Sequence, residues 1–381
     1  MRLRELRLRL FVRHTGMLVT LAFVAGVVFV WSGFYNVAAS RDHWVITTWI
    51  LEQVRVRSVA TWSYFVEDPP PLDDPHKIRL GAAHFEGGCV SCHSRPGEQT
   101  NAIVSHMLPP PPLLDNAREH LSPKELFWTV KHGLKYTAMP AWPSQARNDE
   151  VWALTAFLLE LPELSPEEYR HLAAVDRVGD GPDDGAKQAR ASETVALTQC
   201  TRCHGDETSP PISDLIPALG GQTQAYLERA LVEYAEGTRP SGIMQPVAGL
   251  LGDDEIRSLA AYYSETDMTA PPQGDPESIT RGRALAQEGD PERGVPACLA
   301  CHSRSRFTSF PNIAGLSQGY IAAQLNVWRD GGRDLTVHGQ IMAPIARRLT
   351  DEQVEDAAAY FSSVNAAELP GSLAASSAVD R

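Results

Sequence analysis

The chain of 381 residues has no cysteine outside three five-residue boxes, so no thiol is left over for a separate site. It also lacks any excess of positive charge. The net charge of −13 provides no basic face for a phosphate backbone, and nucleic acid is excluded as the main partner. No run of alternating apolar and polar residues stands out, which removes half-buried strands and predicts an all-α fold. Apolar residues at 43% exclude wholesale disorder, while 28 Gly and 28 Pro supply turns and linkers. At roughly 100–200 residues per domain, this length predicts several units rather than one core.

One long uncharged run is present, across residues 15–40. Residues 17–35 provide the roughly 20 apolar positions that a helix needs to cross a bilayer. The preceding Arg2, Arg4, Arg7, Arg9 and Arg13 stand against Glu5 alone, so this end is expected to be cytoplasmic, with Trp31, Phe34 and Tyr35 in an outer aromatic belt. An uncleaved anchor is favoured over a signal peptide cut near Val37-Ala38-Ala39, because the apolar core exceeds the usual signal length. Residues 1–13 carry a net +4, which leaves −17 for the exported remainder. Residues 41–63 then read as an amphipathic helix lying on the membrane or packed on the first domain. Pro69-Pro70-Pro71 ends it.

The boxes are Cys89-Val90-Ser91-Cys92-His93, Cys200-Thr201-Arg202-Cys203-His204 and Cys298-Leu299-Ala300-Cys301-His302. Aligned on them, the chain repeats itself. His204 and His302 are 98 apart, as are Met244 and Met342, and Tyr262 and Tyr360. The first copy is more distant, with His93, Met139 and Phe157 in the same order. Acid-rich starts at 148, 253 and 351 each lead into an alanine-rich closing helix. The predicted division is an anchor over 1–40, a helix and connector over 41–71, and domains at 72–163, 194–268 and 279–368. Linkers fall at 164–193 and 269–278, and a flexible tail at 369–381.

A Cys-x-x-Cys-His pentapeptide is the c-type haem attachment signature: two thiols bond the vinyl groups and the adjacent histidine reaches the iron. A thioredoxin-like pair would want a βαβ setting, and a zinc site would want two pairs close together. Three boxes therefore predict three covalently bound haems, attached through Cys89, Cys92, Cys200, Cys203, Cys298 and Cys301, with iron held by His93, His204 and His302. Thioether sulfur opposite each imidazole gives an electron-transfer centre. Met139, Met244 and Met342 follow the boxes by 46, 40 and 40 residues, each with proline one or two positions later. Met107 and Met268 lack that placement. His338 and His132 are the spare histidines able to replace a methionine. Lys135, Arg239 and Arg333 share one register before the methionines, where a cation either pairs with a haem propionate or sits as a solvated loop charge. Pro217 and Pro311 either offer a carbonyl to the imidazole N–H or simply turn the chain.

At these residues the sequence resembles the class I cytochrome c family in triplicate. The third unit, with Trp328-Arg329-Asp330-Gly331-Gly332-Arg333 and Leu349-Thr350-Asp351-Glu352, is similar to the second half of dihaem cytochromes c, and the second unit matches more loosely. Residues 32–40 with Met139-Pro140-Ala141-Trp142 resemble membrane-anchored monohaem cytochromes c of Gram-negative bacteria. The resemblance implies three small helical haem domains behind a transmembrane helix, histidine–methionine ligation, and single-electron relay in a periplasmic respiratory chain. The expected partners are the membrane and redox proteins: a quinol-oxidising complex or dehydrogenase on one side and a terminal oxidase on the other. The expected location is the bacterial inner membrane, single-pass, with the haem domains periplasmic. With both axial positions filled the chain is an electron carrier, not an enzyme. The other readings are a cytochrome subunit of a membrane-bound dehydrogenase and a peroxidase-type enzyme with one open iron. The linkers suggest that the domains reorient, with a packed second–third pair by analogy with dihaem relatives.

Overall fold

The computed structural model describes residues 2–114, 121–177, 191–266, 274–303, 309–365 and 369. Met268, His120, the middle of the first linker and the tail beyond 369 lie outside them. Among the described residues the chain is α-helical, and its one bridge of β type joins Asp290 to Val295.

Helix α1 (Arg2–Ser32) contains the membrane-length segment Arg7–Ser32, with a mean hydropathy of 2.0 and no buried residue. It is the one helix among the described residues long and apolar enough to cross a bilayer. Rings of Phe29, Phe34, Tyr35 and Trp44 cluster where it ends. The next helix, α2 (Val45–Ser63), starts later than the expected residue 41. It packs along α5 (Pro123–His132) and buries Val59 and Ser63. Trp44, Trp49, Ile50, Val54 and Trp62 stay exposed, so the docked stripe is narrower than an amphipathic helix would bury.

The first unit contains α3 (Pro75–Gly88), α4 (Val90–His93), α5, α6 (Asn148–Glu160) and α7 (Pro166–Leu172). The second has α8 (Ala191–His204), α9 (Gln224–Ala235), α10 (Met244–Ala248) and α11 (Asp253–Glu265). The third has α12 (Pro276–Glu288), α13 (Leu299–His302), α14 (Gln318–Arg329), α15 (Val337–Ala346) and α16 (Asp351–Ser363). Caps fix where these helices begin. Asp74 and Asp275 each accept a backbone N–H in front of a proline, and Ser122–Glu125, Ser165–Glu168 and Thr350–Gln353 form reciprocal capping boxes.

In the first and third units the entry helix crosses the closing helix at a glycine. A side chain on Gly81 would strike the Ala153 carbonyl, and one on Gly282 the Asp356 carbonyl. The first core gathers Phe85, Phe127, Val151, Trp152, Phe157 and Tyr169, and the third Leu285, Leu325, Val354, Tyr360 and Phe361. A smaller cluster belongs to two units at once, because Ala83 and Ala174 of the first pack with Ile212 and Ile216 of the second. Gln222 and Asn312 join the second and third units by reciprocal hydrogen bonds of 2.5 and 3.0 Å. All three units are thus in contact, where the linkers had suggested reorientation.

Candidate functional site

Each box sits at a helix end that sequence chemistry explains. Gly88 closes α3, Cys89 starts a single new turn, and the His93 N–H returns to the Cys89 carbonyl at 2.9 Å. The third box repeats this, with His302 N–H to Cys298 O at 3.0 Å, while the second rides on the last turn of α8. One helical turn puts both thiols and the imidazole on neighbouring positions.

The three histidine rings are oriented in one way. His93 Nδ1 lies 2.9 Å from the Pro112 carbonyl oxygen, His204 Nδ1 2.8 Å from that of Pro217, and His302 Nδ1 3.1 Å from that of Pro311. A carbonyl can only accept, so Nδ1 carries the proton and Nε2 keeps its lone pair for a metal. Pro217 and Pro311 therefore do more than turn the chain. Pro112 was not singled out in the sequence, since it follows its histidine by 19 residues rather than 13 or 9. Burial holds His204 and His302 below the usual imidazole range, opposed by these carbonyls.

A continuous cavity of about 1720 Å³ runs past the boxes. A pocket for one drug-sized ligand is roughly 300–1,000 Å³. Its lining includes Cys89, Cys92, His93, Cys200, Cys203, His204, Cys298 and His302, but not Cys301. Met139, Met244 and Met342 also line it, each partly buried. Met139 is fixed in a tight loop by Thr137, Met244 opens α10, and Met342 lies within α15 two residues before Pro344. His132 and His338 lie outside the lining, His132 against Trp128 and His338 against Phe310. Burial pushes the free Cys89 thiol up to about 12 and those of Cys200 and Cys298 to about 11.

The three cations of the shared register separate. Arg239 is 4% exposed and Arg333 also lines the cavity, whereas Lys135 is exposed and does not. The first unit's loop closes early, with Leu134 N–H on the Met139 carbonyl, and this turns Lys135 and Tyr136 outward. Arg239 lies over the Tyr234 ring and Arg333 over Trp328. Neither meets a carboxylate among the described residues, and Arg239 Nε has no partner. Burial, then the Arg239 cation, holds Arg333 below the ordinary arginine range, and the two cations together pull Tyr226 below that of tyrosine despite its burial. A buried and a partly buried guanidinium side by side, neither beside a carboxylate among the described residues, favour an anion in the cavity.

Paired thiols, a lone pair on Nε2, a thioether and uncompensated cations on one apolar cavity fit a covalently held haem with carboxylate side chains. Among the described residues no three His, Cys, Asp or Glu side chains converge to cage a metal unaided.

Residues 76–158 match the family model described as cytochrome c oxidase, cbb3-type, subunit III. The chain is 34% identical over 196 residues to a thiosulfate dehydrogenase electron acceptor of Stutzerimonas stutzeri (strain A1501), spanning 49% of this chain and 88% of that protein. It is 31% identical to a cytochrome c4 of Thiocapsa roseopersicina, spanning 50% of this chain and 96% of the relative. The solved Acidithiobacillus ferrooxidans cytochrome c4 covers 43% of this chain at 32% identity, with 98% of its own length aligned and a TM-score of 0.40. On its likeness to the electron acceptor and to the Thiocapsa roseopersicina cytochrome c4, each matched over most of its own length, the chain belongs to the cytochrome c family and is an electron-transfer protein with covalently bound haem c, an electron carrier or electron-transfer subunit rather than an enzyme.

Proposed function

We propose that the chain is a membrane-anchored trihaem cytochrome that relays single electrons on the periplasmic side of a bacterial inner membrane. The carrying observation is the threefold recurrence of a histidine whose Nδ1 is held by a proline carbonyl, in a Cys-x-x-Cys-His box on a cavity that a methionine of the same unit also lines. Haem, when bound, supplies one-electron chemistry at iron. The residues Cys89, Cys92, Cys200, Cys203, Cys298 and Cys301 attach it, His93, His204 and His302 orient Nε2, and Met139, Met244 and Met342 complete the ligand set. Arg239 and Arg333 compensate the propionates, and Lys135 serves at the surface.

A haem held by one of these histidines and one of these methionines would leave its iron no place for substrate, and the protein's work would be spacing, potential tuning and docking. The apolar helix Arg7–Ser32 supports the anchor, with Arg2–Arg13 on the cytoplasmic side. Two relatives are named thiosulfate dehydrogenase electron acceptors, at 34% and 32% identity. They favour a periplasmic dehydrogenase of that kind as electron donor over a quinol-oxidising complex, with a terminal oxidase as acceptor.

One experiment on detergent-purified full-length protein tests this reading. A haemochrome assay counts haems per chain, the near-infrared sulfur-to-ferric-iron band counts methionine ligands, and carbon monoxide probes for open iron. Three haems, a band intensity equal to three methionine ligands and no carbon monoxide binding are expected. Two haems, or carbon monoxide binding at one of three, would instead favour a site for catalysis or sensing.

A further inference from the structure

The contact between the first and second units contains a buried carboxylate bonded from both sides. Glu150, in the first turn of α6, is 3% exposed. Its Oε1 accepts the Ser241 hydroxyl at 2.6 Å and lies 3.0 Å from Arg147. Its Oε2 accepts the Gly242 backbone N–H at 2.6 Å and the Trp142 indole N–H at 3.2 Å. Two of these four donors belong to the second unit, and they lie three and two residues before Met244.

The same hydroxyl extends the chain of contacts to the ligand. Ser241 Oγ accepts the N–H groups of Ile243 at 3.2 Å and Met244 at 3.0 Å, so the first turn of α10 is pinned by an oxygen whose own proton goes to Glu150. The neighbouring Arg147 donates to the Pro240 carbonyl at 3.0 Å while a pair of bonds to Asp149 holds its guanidinium. Trp142, three residues after Met139, packs so tightly on Gly242 that any side chain there would collide with the indole. Ile243 enters the first unit's core. The other face of the second site is tied as well, since Arg202, inside the second box, donates to the Ala83 and Ala173 carbonyls of the first unit at 3.2 and 3.3 Å.

We propose that Glu150 is a positioning residue acting across the unit boundary: it holds the Ser241–Gly242 turn so that the Met244 sulfur faces the second haem. Docking of the anchored first unit then sets the ligation and potential of the second haem, and the junction between them is fixed rather than transient. A buried carboxylate satisfied on both oxygens by four donors has a single low-energy arrangement, and removing it takes that acceptor from Ser241, Gly242 and Trp142 and leaves Arg147 with Asp149 and the Pro240 carbonyl alone. Met342 of the third unit is placed differently, mid-helix in α15, and among the described residues no contact of this kind holds it.

This rests on the histidine–methionine reading above, and the test separates the two. Glu150→Ala, Ser241→Ala and Met244→His are each made in the full-length chain, with haem content, near-infrared band and potentiometric titration as readouts. Glu150→Ala is expected to keep three haems, to lose about one third of the band intensity, and to lower one potential. Ser241→Ala should act in the same direction without touching the carboxylate, and stands in if Glu150→Ala does not accumulate. The double variant Glu150→Ala with Met244→His should lose no more band than Met244→His alone. A full band with three unchanged potentials in both alanine variants would overturn the proposal, as would additive losses in the double variant. A Met244→His variant that keeps the whole band would overturn it too, by removing Met244 from the ligand set.

Discussion

His204 Nδ1 and the Pro217 carbonyl oxygen are 2.8 Å apart, and the same bond recurs at His93–Pro112 and His302–Pro311 over three different sequence separations. Folding has kept the bond and let the loop length vary. Each ring thereby keeps its Nε2 lone pair free on a cavity that one methionine per unit also lines.

Exchanging one of those methionines for histidine tests each site separately. Met139→His, Met244→His and Met342→His should each keep three haems, remove about one third of the near-infrared band and lower one reduction potential, since thioether ligation raises potential relative to imidazole. Potentiometry of the three variants should show three different components moving. A variant that shifts none identifies its methionine as packing.

The two cavity arginines and the exposed lysine of the same register should respond very differently. If Arg333 pairs with a propionate, Arg333→Leu in the haem-loaded protein removes a charge-assisted bond at a partly buried position and should destabilise it by about 1.5–3 kcal/mol. Lys135→Gln, at an exposed position, should stay within about 0.5 kcal/mol of the parent. Denaturant unfolding followed by the haem absorbance makes the comparison. Equal effects would remove the propionate role from Arg333.

The helical class, the boxes and the methionine register were legible because each depends on residues close in sequence, and repetition separates meaning from chance. The closing helices at Asn148, Asp253 and Asp351 begin where their acidic first turns indicated. Lys135 shows the limit of register, since an alignment offset says nothing about which way a six-residue loop turns its side chains. Pro112 was hidden by variable spacing inside a proline run. Glu150 and Ser241, 91 residues apart, carry no local signal, because a cross-unit hydrogen bond leaves no periodicity in either partner. Val59 on α2 could not be told from its exposed apolar neighbours without α5 beside it.

Acid should weaken the protein through His84, whose ring lies tilted against Trp142 and lines the cavity. Burial first, and the Arg202 cation second, hold this imidazole at about 4, against 6.5 for the exposed ring. The folded state favours the neutral form, so the contribution is intact above pH 6.5 and is lost as pH falls from there to 4, where the unfolded chain alone binds the proton. The difference amounts to about 3 kcal/mol by pH 4. Unfolding free energies measured at several pH values should show this slope, and His84→Gln should flatten it. A parallel slope in the variant would assign the acid sensitivity to another group.

The third unit's helix crossing provides a stability test away from the haem ligands. At Gly282 the backbone of α12 lies against the Asp356 carbonyl and the Tyr360 side chain, leaving no room for a methyl group. Arg281, on the same turn, grips the buried Asp356 carboxylate through two bonds of 2.8 and 2.7 Å, so α12 cannot slide to relieve the collision without breaking them. Gly282→Ala should therefore force the helices apart. Overpacking of this kind costs about 1–3 kcal/mol, and in a domain of about 60–100 residues each kcal/mol lowers the melting midpoint by about 4–8 °C. Helix propensity alone would predict the opposite sign, since alanine is favoured over glycine within a helix by about 1 kcal/mol. Calorimetry of Gly282→Ala beside the exposed substitution Gln287→Ala decides between them: a lowered midpoint only for Gly282 supports the close crossing, and a raised one would show that α12 and α16 do not touch there.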